Sequence, residues 1–226
     1  MEDQIILIDK PANISSFGVV AKVRAKLKQE FGHKVKVGHT GTLDPFATGL
    51  LILLSGKMTK KSNDFLKQDK TYEATLKLGF TSTTGDPEGE ITKVKMTPRE
   101  YYLRSEKAIS VISNTLESFV GKINQTPPRF SAIKINGQRA YKLARKGQDF
   151  EVPSREVEIY SIDIINYNYP ELTIKVHCSS GTYIRTLAED IGKALKTGAY
   201  LTALRRTEIG NYSIKDATKL SDYMIQ

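Results

Sequence analysis

The chain has 226 residues, of which 39% are hydrophobic, and 34 Lys and Arg against 25 Asp and Glu give it a formal net charge of +9. This length allows one large catalytic domain or two small ones. No run of about 18 apolar residues is present, which argues against a membrane-spanning helix. The net positive charge favours a polyanionic partner, although it also fits a basic protein without one.

Cysteine and histidine usage excludes two further classes of protein. The single cysteine, Cys178, excludes an internal disulfide framework and is typical of the reducing cytoplasm. The three histidines are scattered along the chain, and no Cys or His cluster has the spacing of a metal site. The acidic first residues, 1–4, lack the basic region of a signal peptide.

The first forty residues predict a strand, a helix and a second strand. Residues 5–8 are apolar and β-branched, which indicates a short buried strand. Ser15 or Ser16 can cap a helix, and Gly32 is placed to stop it. Residues 35–37 then alternate as a strand.

The segment that follows, residues 38–49, reads GHTGTLDPFATG and contains one carboxylate, Asp44. Pro45 fixes its own φ and moves Asp44 out of the α region, so we expect Asp44 on a stiff, extended loop. The apolar run 50–54 is short enough for a buried strand. A carboxylate on a rigid turn beside a buried sheet is a common placement for a catalytic group. An Asx-turn that only caps the local chain is the alternative.

The middle of the chain predicts further helices and strands. Residues 57–67 indicate a helix, and residues 70–79, which include Tyr72, alternate as a strand. Residues 81–89 form a polar loop rich in turn residues. A long helix is expected from residues 97–98 to the region of Gly121, with Ile109, Ile112 and Leu116 on its packed face.

Residues 122–155 carry eight Lys and Arg against two acidic residues, a net charge of +6. Basic side chains interleaved with Phe130 and Tyr141 suit phosphate contact combined with base stacking. The alternative is a solvated basic helix that binds nothing. Further on, residues 172–179 alternate as a strand and run into GTYIRTL, residues 181–187, an apparent strand–turn–helix start.

Three of these segments resemble signature motifs of the TruB-type tRNA pseudouridine synthases. They are GHTGTLDPFATG, the run 125–147 with its PPRFSAIK and AYKLAR segments, and GTYIRTL. The resemblance continues in the LRRT of residues 204–207 and ends near Leu220. Phe130 stands where the family's pattern usually has tyrosine.

The resemblance implies an α+β fold, with a mixed, mainly antiparallel sheet and flanking helices. We expect a single catalytic domain over residues 1–226, with a thumb inserted at about 125–153 that closes over RNA. Many family members continue into a small RNA-binding PUA module. Because this chain stops at Gln226, we expect either a short form without that module or a truncated chain.

The resemblance also implies roles for individual residues. Asp44 matches the family's catalytic aspartate, Tyr72 a tyrosine that stacks on the target uracil, and Arg185 an arginine that pairs with the aspartate. Tyr72 can also be an ordinary half-buried strand residue, and Arg185 a structural arginine at a helix start. Contacts to the uridine or the RNA are expected from His39, Lys60, Asp86, Leu204, Arg139, Lys142 and Arg145. His39 can equally stabilise the glycine-rich turn.

The implied reaction is the isomerisation of uridine to pseudouridine at position 55 in the T-loop of tRNA, after the base has been flipped out. We expect a cytoplasmic enzyme that needs no metal, cofactor, membrane or protein partner. A monomer is expected, although the sequence itself leaves the oligomeric state open. The residues leave open whether Asp44 attacks C1′, attacks the ring or removes a sugar proton. Two alternatives remain, the same chemistry on another RNA and a non-catalytic tRNA-binding or folding protein.

Overall fold

The structure is a computed structural model that describes residues 2–95, 101–135 and 137–225. The chain divides into two compact units. One comprises Met1–Glu73 and Leu204–Gln226, and the other comprises Ala74–Ala203.

The elements of the first unit come from both ends of the chain. From the N-terminus they are β1 (Ile5–Lys10), α1 (Ser16–Phe31), β2 (Val37–His39), β3 (Thr48–Ser55), a 3-10 helix (Gly56–Lys61), α2 (Ser62–Leu66) and the first part of β4 (Lys70–Leu78). The second unit continues with β5 (Phe80–Ser82), β6 (Ile91–Lys93), α3 (Ala108–Glu117), β7 (Gly121–Gln125), β8 (Lys134–Ile135), β9 (Gln138–Arg139), α4 (Ala140–Arg145), β10 (Arg155–Asn168), β11 (Glu171–Cys178), α5 (Ile184–Ala194) and the first part of β12 (Ala199–Ile209). The first unit is completed by the rest of β12, β13 (Tyr212–Ser213), a 3-10 helix (Ile214–Asp216), β14 (Thr218–Lys219) and α6 (Leu220–Ile225).

Strand pairing is mixed and mainly antiparallel. In the first unit the strand order is β14-β1-β3-β12-β4, with β2 on β3 and β13 on β12. In the second unit it is β12-β4-β11-β10-β7, beside the hairpins β5-β6 and β8-β9. The pairs β1–β14 and β3–β12 are parallel, whereas β1–β3, β2–β3, β7–β10 and β10–β11 are antiparallel. The predicted fold class is therefore confirmed.

Helix α1 forms where its local signals predict it. The Ser15 side chain accepts a hydrogen bond from the Gly18 N–H at 3.0 Å and caps the helix, and Gly32, with φ +73°, ends it. Its apolar face packs on β1 and β3 in one core cluster. That cluster contains Ile6, Ile8, Val19, Val20, Val23, Leu27, Val35, Val37, Leu51, Leu53 and Leu220.

Strand β3 is buried on both faces, which explains its unbroken apolar sequence. Leu51 and Leu53 point into the α1 cluster. The alternate residues join a second cluster, which contains Leu50, Ile52, Leu54, Phe65 and Ile209. The strand that follows the Asp44 loop is thus fixed from both sides.

Two helix predictions need correction. The segment 57–67 is helical, but it begins as a 3-10 helix and only then becomes α2. The long helix predicted to end near Gly121 is α3, which begins at Ala108, while its expected start at residues 97–98 lies outside the described residues. Ser105 interrupts it, because its hydroxyl donates to the Tyr102 carbonyl at 2.7 Å and accepts from the Lys107 N–H at 3.3 Å. Ile109, expected on the packed face, is exposed.

We predict that Gly49→Ala strongly destabilises the protein. Gly49 has φ +104°, and a Cβ there would lie 2.3 Å from the Arg206 carbonyl oxygen and 2.7 Å from the Arg206 nitrogen on the paired strand. The control is Gly32→Ala, where φ is +73° but no atom lies within 4 Å of the added Cβ. Urea unfolding should show a loss of about 1 kcal/mol for the control and at least about 2 kcal/mol more for Gly49→Ala. Equal losses would contradict the close approach of the two strands.

Candidate functional site

Asp44 lies on the loop between β2 and β3 in the first unit, as predicted. Its side chain is half-buried. Its backbone carbonyl accepts from the Ala47 N–H at 3.1 Å, which forms a turn immediately after the carboxylate. Residues 42–44, directly before this turn, belong to no helix or strand, and the extended backbone expected at Asp44 stays a prediction.

Buried side chains from other elements hold the loop on both sides of Asp44. The Ser16 hydroxyl accepts from the Leu43 N–H at 2.8 Å and donates to the Leu43 carbonyl at 2.9 Å. The fully buried Lys10 ammonium donates to the Pro45 carbonyl at 3.2 Å, and to two carbonyls of the β1–α1 connection at 2.9 and 2.7 Å. The residues directly before and after Asp44 are therefore both fixed by side chains at the start of the chain.

Four other predicted residues lie in the first unit. His39 Nδ1 accepts from the Gly41 N–H at 3.4 Å, so His39 contributes to the glycine-rich turn. Tyr72 on β4 is 8% exposed, and Leu204 on β12 is also buried. Lys60 is exposed on the 3-10 helix after β3. Their predicted contacts with uridine or RNA stay predictions.

Arg185, at the start of α5 in the second unit, is 4% exposed and joins three segments. Its guanidinium donates to the Thr84 carbonyl at 3.1 Å and to the Phe130 carbonyl at 2.9 Å. It also forms an ion pair with Asp86, at 3.4 Å between Nη1 and Oδ2. The structure thus brings together two of the predicted residues, Arg185 and Asp86. Asp44 belongs to the other unit, and its pairing with Arg185 stays a prediction.

Asp86 is 3% exposed and is fixed by its own loop. Its carboxylate accepts from the Thr84 hydroxyl at 2.5 Å and from the Glu88 N–H at 3.0 Å, while the Ser82 hydroxyl donates to its carbonyl at 2.6 Å. A buried ion pair with this many hydrogen bonds has a defined geometry. Asp86 therefore orients the Arg185 guanidinium.

The base of the thumb is tied to the same helix start. The Gln125 side chain accepts from the Tyr183 N–H at 2.7 Å and donates to the Tyr183 carbonyl at 3.0 Å. The Thr186 hydroxyl donates to the Thr126 carbonyl at 3.2 Å. The sequence analysis gave no role to Gln125, although its position two residues before the prolines 127 and 128, at the expected start of the thumb, was a signal for it.

The cationic residues predicted to bind RNA lie on the thumb. Arg139 ends β9 and donates to the Ala132 carbonyl at 3.1 Å. Lys142 and Arg145 are exposed on α4, and the Arg145 guanidinium lies 5.8 Å from the centre of the Tyr141 ring. The interleaving of cations and an aromatic ring expected from the sequence is present on this short helix.

In the described ranges 2–95, 101–135 and 137–225, no group of three or more His, Cys, Asp and Glu could hold a metal ion. Over the same residues, no helix is both long and apolar enough to cross a membrane. The single cysteine, Cys178, is buried.

Two models of known protein families match the sequence of this chain. The model of the TruB family pseudouridylate synthase N-terminal domain matches residues 25–184, and that of the tRNA pseudouridylate synthase B C-terminal domain matches residues 185–224. The chain belongs to the TruB family. The boundary between the two matches falls at the start of α5, directly before Arg185.

Similar relatives extend over almost the whole chain. The tRNA pseudouridine synthase B of Phocaeicola vulgatus is 44% identical over 223 residues, which cover 98% of this chain and 92% of the relative. That of Clostridium kluyveri is 45% identical over 218 residues, which cover 96% of this chain and 71% of the relative. The Asp44 loop of this TruB family chain lies within the region that the N-terminal family model matches.

Solved structures agree with this fold. A Cbf5-Nop10-Gar1 complex has a chain that superimposes with a TM-score of 0.70 at 26% identity. An H/ACA RNP bound to a substrate RNA containing 2'-deoxyuridine gives 0.68 at 25% identity. The alignments cover 99% of this chain but only 54% and 53% of the solved chains, so this TruB family chain spans about half their length.

We predict a pH-dependent effect of Glu189→Gln on stability. Glu189 lies one helical turn after Arg185, with its carboxylate against Gly85. Burial raises the pKa of the Glu189 carboxyl above its ordinary value of 4.5, and the nearby Lys193 opposes this shift. Because the folded state binds the proton more tightly, the ionised carboxylate costs stability above the raised pKa, and this cost disappears below the ordinary value.

The measurement is urea unfolding of wild type and Glu189→Gln at several pH values. The stability of the variant relative to wild type should increase from about pH 4 to about pH 7. A difference that is constant over this range, or that decreases with pH, would contradict the burial of an ionised Glu189.

Proposed function

We propose that this chain is a tRNA pseudouridine-55 synthase, which isomerises one uridine in the T-loop of tRNA. The observation that carries the proposal is the similarity, at 42–45% identity over nearly the whole chain, to relatives named tRNA pseudouridine synthase B. The braced Asp44 loop adds to it, because a carboxylate on a rigid backbone is what a reaction at a sugar carbon requires.

The reaction exchanges one bond to the sugar for another. The bond between N1 of uracil and C1′ breaks, a bond between C5 and C1′ forms, and a proton leaves C5 while N1 gains one. No electrons are gained or lost overall, so the chemistry itself requires no redox cofactor. Asp44 is the group we assign to it, as a nucleophile at C1′ or at the ring, or as a base on the sugar.

Tyr72, Leu204 and Arg185 complete the proposed site. The Tyr72 ring stacks on the flipped uracil and Leu204 lines the pocket, since stacking on an aromatic ring contributes about 1–3 kcal/mol per base. Arg185 pairs with Asp44 and favours its ionised form. Its contacts with Thr84, Phe130 and Asp86 fix the guanidinium for this task.

The thumb supplies phosphate contacts in this proposal. Arg139, Lys142 and Arg145 lie on or next to α4, and residues 122–155 carry the net charge of +6. His39, Lys60 and Asp86 are assigned to the neighbourhood of the flipped uridine. Phosphate contacts of this kind supply affinity, whereas the pocket supplies selectivity for uridine.

The substrate distinguishes the proposal from its main alternative. The solved structures of lower identity are an H/ACA RNP bound to a substrate RNA and a Cbf5-Nop10-Gar1 complex. We assign tRNA because the more similar, full-length relatives carry that name. We further propose that the chain acts in the cytoplasm as a single-domain monomer without a protein partner, in contrast to the complexes with Nop10 and Gar1.

The proposal predicts that Asp44→Asn abolishes pseudouridine formation but not tRNA binding. The amide keeps the shape of the carboxylate but not its charge or basicity, so the single-turnover rate should fall by at least about 100-fold. The tRNA dissociation constant should change little, because phosphate contacts supply most of the affinity. The control is Asp64→Asn on the exposed face of α2 in the same unit. Normal turnover by Asp44→Asn would end the assignment.

A second prediction concerns the thumb. Replacing Arg139, Lys142 and Arg145 together by Gln should weaken tRNA binding and flatten its salt dependence, by about 0.7–0.9 units of log–log slope for each phosphate that the variant no longer neutralises. The matched control replaces Lys93, Lys107 and Lys175, which are exposed in the same unit but outside the thumb. Binding is measured at several salt concentrations, with thermal melting as a check on folding. Equal slopes for both triple variants would place the RNA contacts elsewhere.

A further inference from the structure

Arg206 lies on β12, two residues after Leu204, and none of the roles described above uses it. It is 2% exposed, one of the largest fully buried side chains in the described part of the protein. Its backbone is paired in parallel with Gly49, the last residue of the GHTGTLDPFATG segment. A Cβ at Gly49 would lie 2.3 Å from the Arg206 carbonyl oxygen, so the two backbones are in direct contact.

The Arg206 guanidinium binds the backbone on both sides of Asp44, at Gly41 in the loop and at Leu50 in β3. Nε donates to the Leu50 carbonyl at 2.9 Å, and Nη2 donates to the Gly41 carbonyl at 3.1 Å. Gly41 precedes Asp44 by three residues, and Leu50 follows it by six. One rigid, planar group thereby sets the separation between the entry and the exit of the loop.

The choice of residue supports a role in geometry. Both acceptors are neutral backbone carbonyls, so this buried cation is held without a carboxylate in either hydrogen bond. Burying a charge on neutral partners costs solvation energy, which a purely structural contact could avoid with an uncharged donor. A guanidinium presents several N–H groups in a fixed fork, whereas a lysine ammonium is a single point on a flexible chain. Here two N–H groups of one fork, Nε and Nη2, reach the two carbonyls at the same time.

We propose that Arg206 is the positioning residue for the Asp44 carboxylate, acting by holding the Gly41 and Leu50 carbonyls at a fixed separation. This inference rests on the proposed function for its effect on rate, but not for its effect on the loop. Ser16 and Lys10 fix the residues adjacent to Asp44, and Arg206 fixes the span in which they lie.

The test compares Arg206→Lys, which keeps the charge but loses the fork, and Arg206→Gln, which keeps an N–H donor but loses the charge. The matched control is Arg24→Lys, because Arg24 in the same unit also donates to a backbone carbonyl, that of Val37 at 2.9 Å, which lies outside the loop. Both Arg206 variants should reduce the single-turnover rate of pseudouridine formation by about 100-fold, the effect expected of a misplaced reacting group. Their tRNA dissociation constants should stay within about threefold of wild type, since phosphate contacts supply the affinity.

A second measurement does not depend on activity. Hydrogen exchange of the unliganded protein should be faster over residues 40–50 in both Arg206 variants, by about tenfold or more, as expected when a local opening becomes easier. Arg24→Lys should leave exchange over these residues unchanged. If the wild type forms no pseudouridine, the proposed function fails, while the exchange data still decide whether Arg206 holds the loop.

Three results would overturn the inference. The first is a rate for Arg206→Lys within about threefold of wild type, because the fork would then be unnecessary. The second is a loss of rate in the Arg206 variants that is in the same proportion to the loss of melting temperature as in Arg24→Lys. Arg206 would then act only through the overall stability of the protein. The third is failure of both Arg206 variants to fold, which would make Arg206 a stabiliser of the core.

Discussion

The rest of the site depends on one constraint, which is that the carbonyls of Gly41, Leu43 and Pro45 in the Asp44 loop accept hydrogen bonds from buried side chains. A buried loop whose carbonyls lacked partners would be unstable, and water in their place would let the loop move. Here Lys10, Ser16 and Arg206 supply the donors from the end of β1, the first turn of α1 and β12. The backbone that carries Asp44 is therefore fixed to β1, α1 and β12.

A comparable set of buried side-chain hydrogen bonds connects segments of the second unit. The Arg185 guanidinium binds the loop of Asp86 and the carbonyl of Phe130, and Gln125 binds the backbone beside it. The base of the thumb is thus attached to the start of α5 in two ways. The Arg185 hydrogen bonds are charge-assisted and therefore stronger than neutral ones, and Gln125 adds a reciprocal pair of hydrogen bonds with the backbone of Tyr183. The exposed cations of the thumb belong to the segment whose base is attached in this way.

The features predicted from the sequence are those with local signals. Ser15, Gly32 and the apolar run of β3 specify their elements within a few residues. Ser105 shows the limit, because a side-chain hydrogen bond to Tyr102 overrides a favourable helical pattern. The resemblance pointed to Arg185 but not to its Asp86 ion pair. Arg206 was beyond reach, since its acceptor at Gly41 is 165 residues away and no pattern links them.

The central claim is that this chain alone converts one T-loop uridine of tRNA to pseudouridine. The most direct test is to incubate the purified protein with an unmodified tRNA transcript in the presence of a chelator, and to map pseudouridine along the RNA by mass spectrometry. We expect one pseudouridine, at position 55, and none in a transcript in which cytidine replaces that uridine. No pseudouridine at all, pseudouridine only at other positions, or a requirement for an added protein or guide RNA would contradict it.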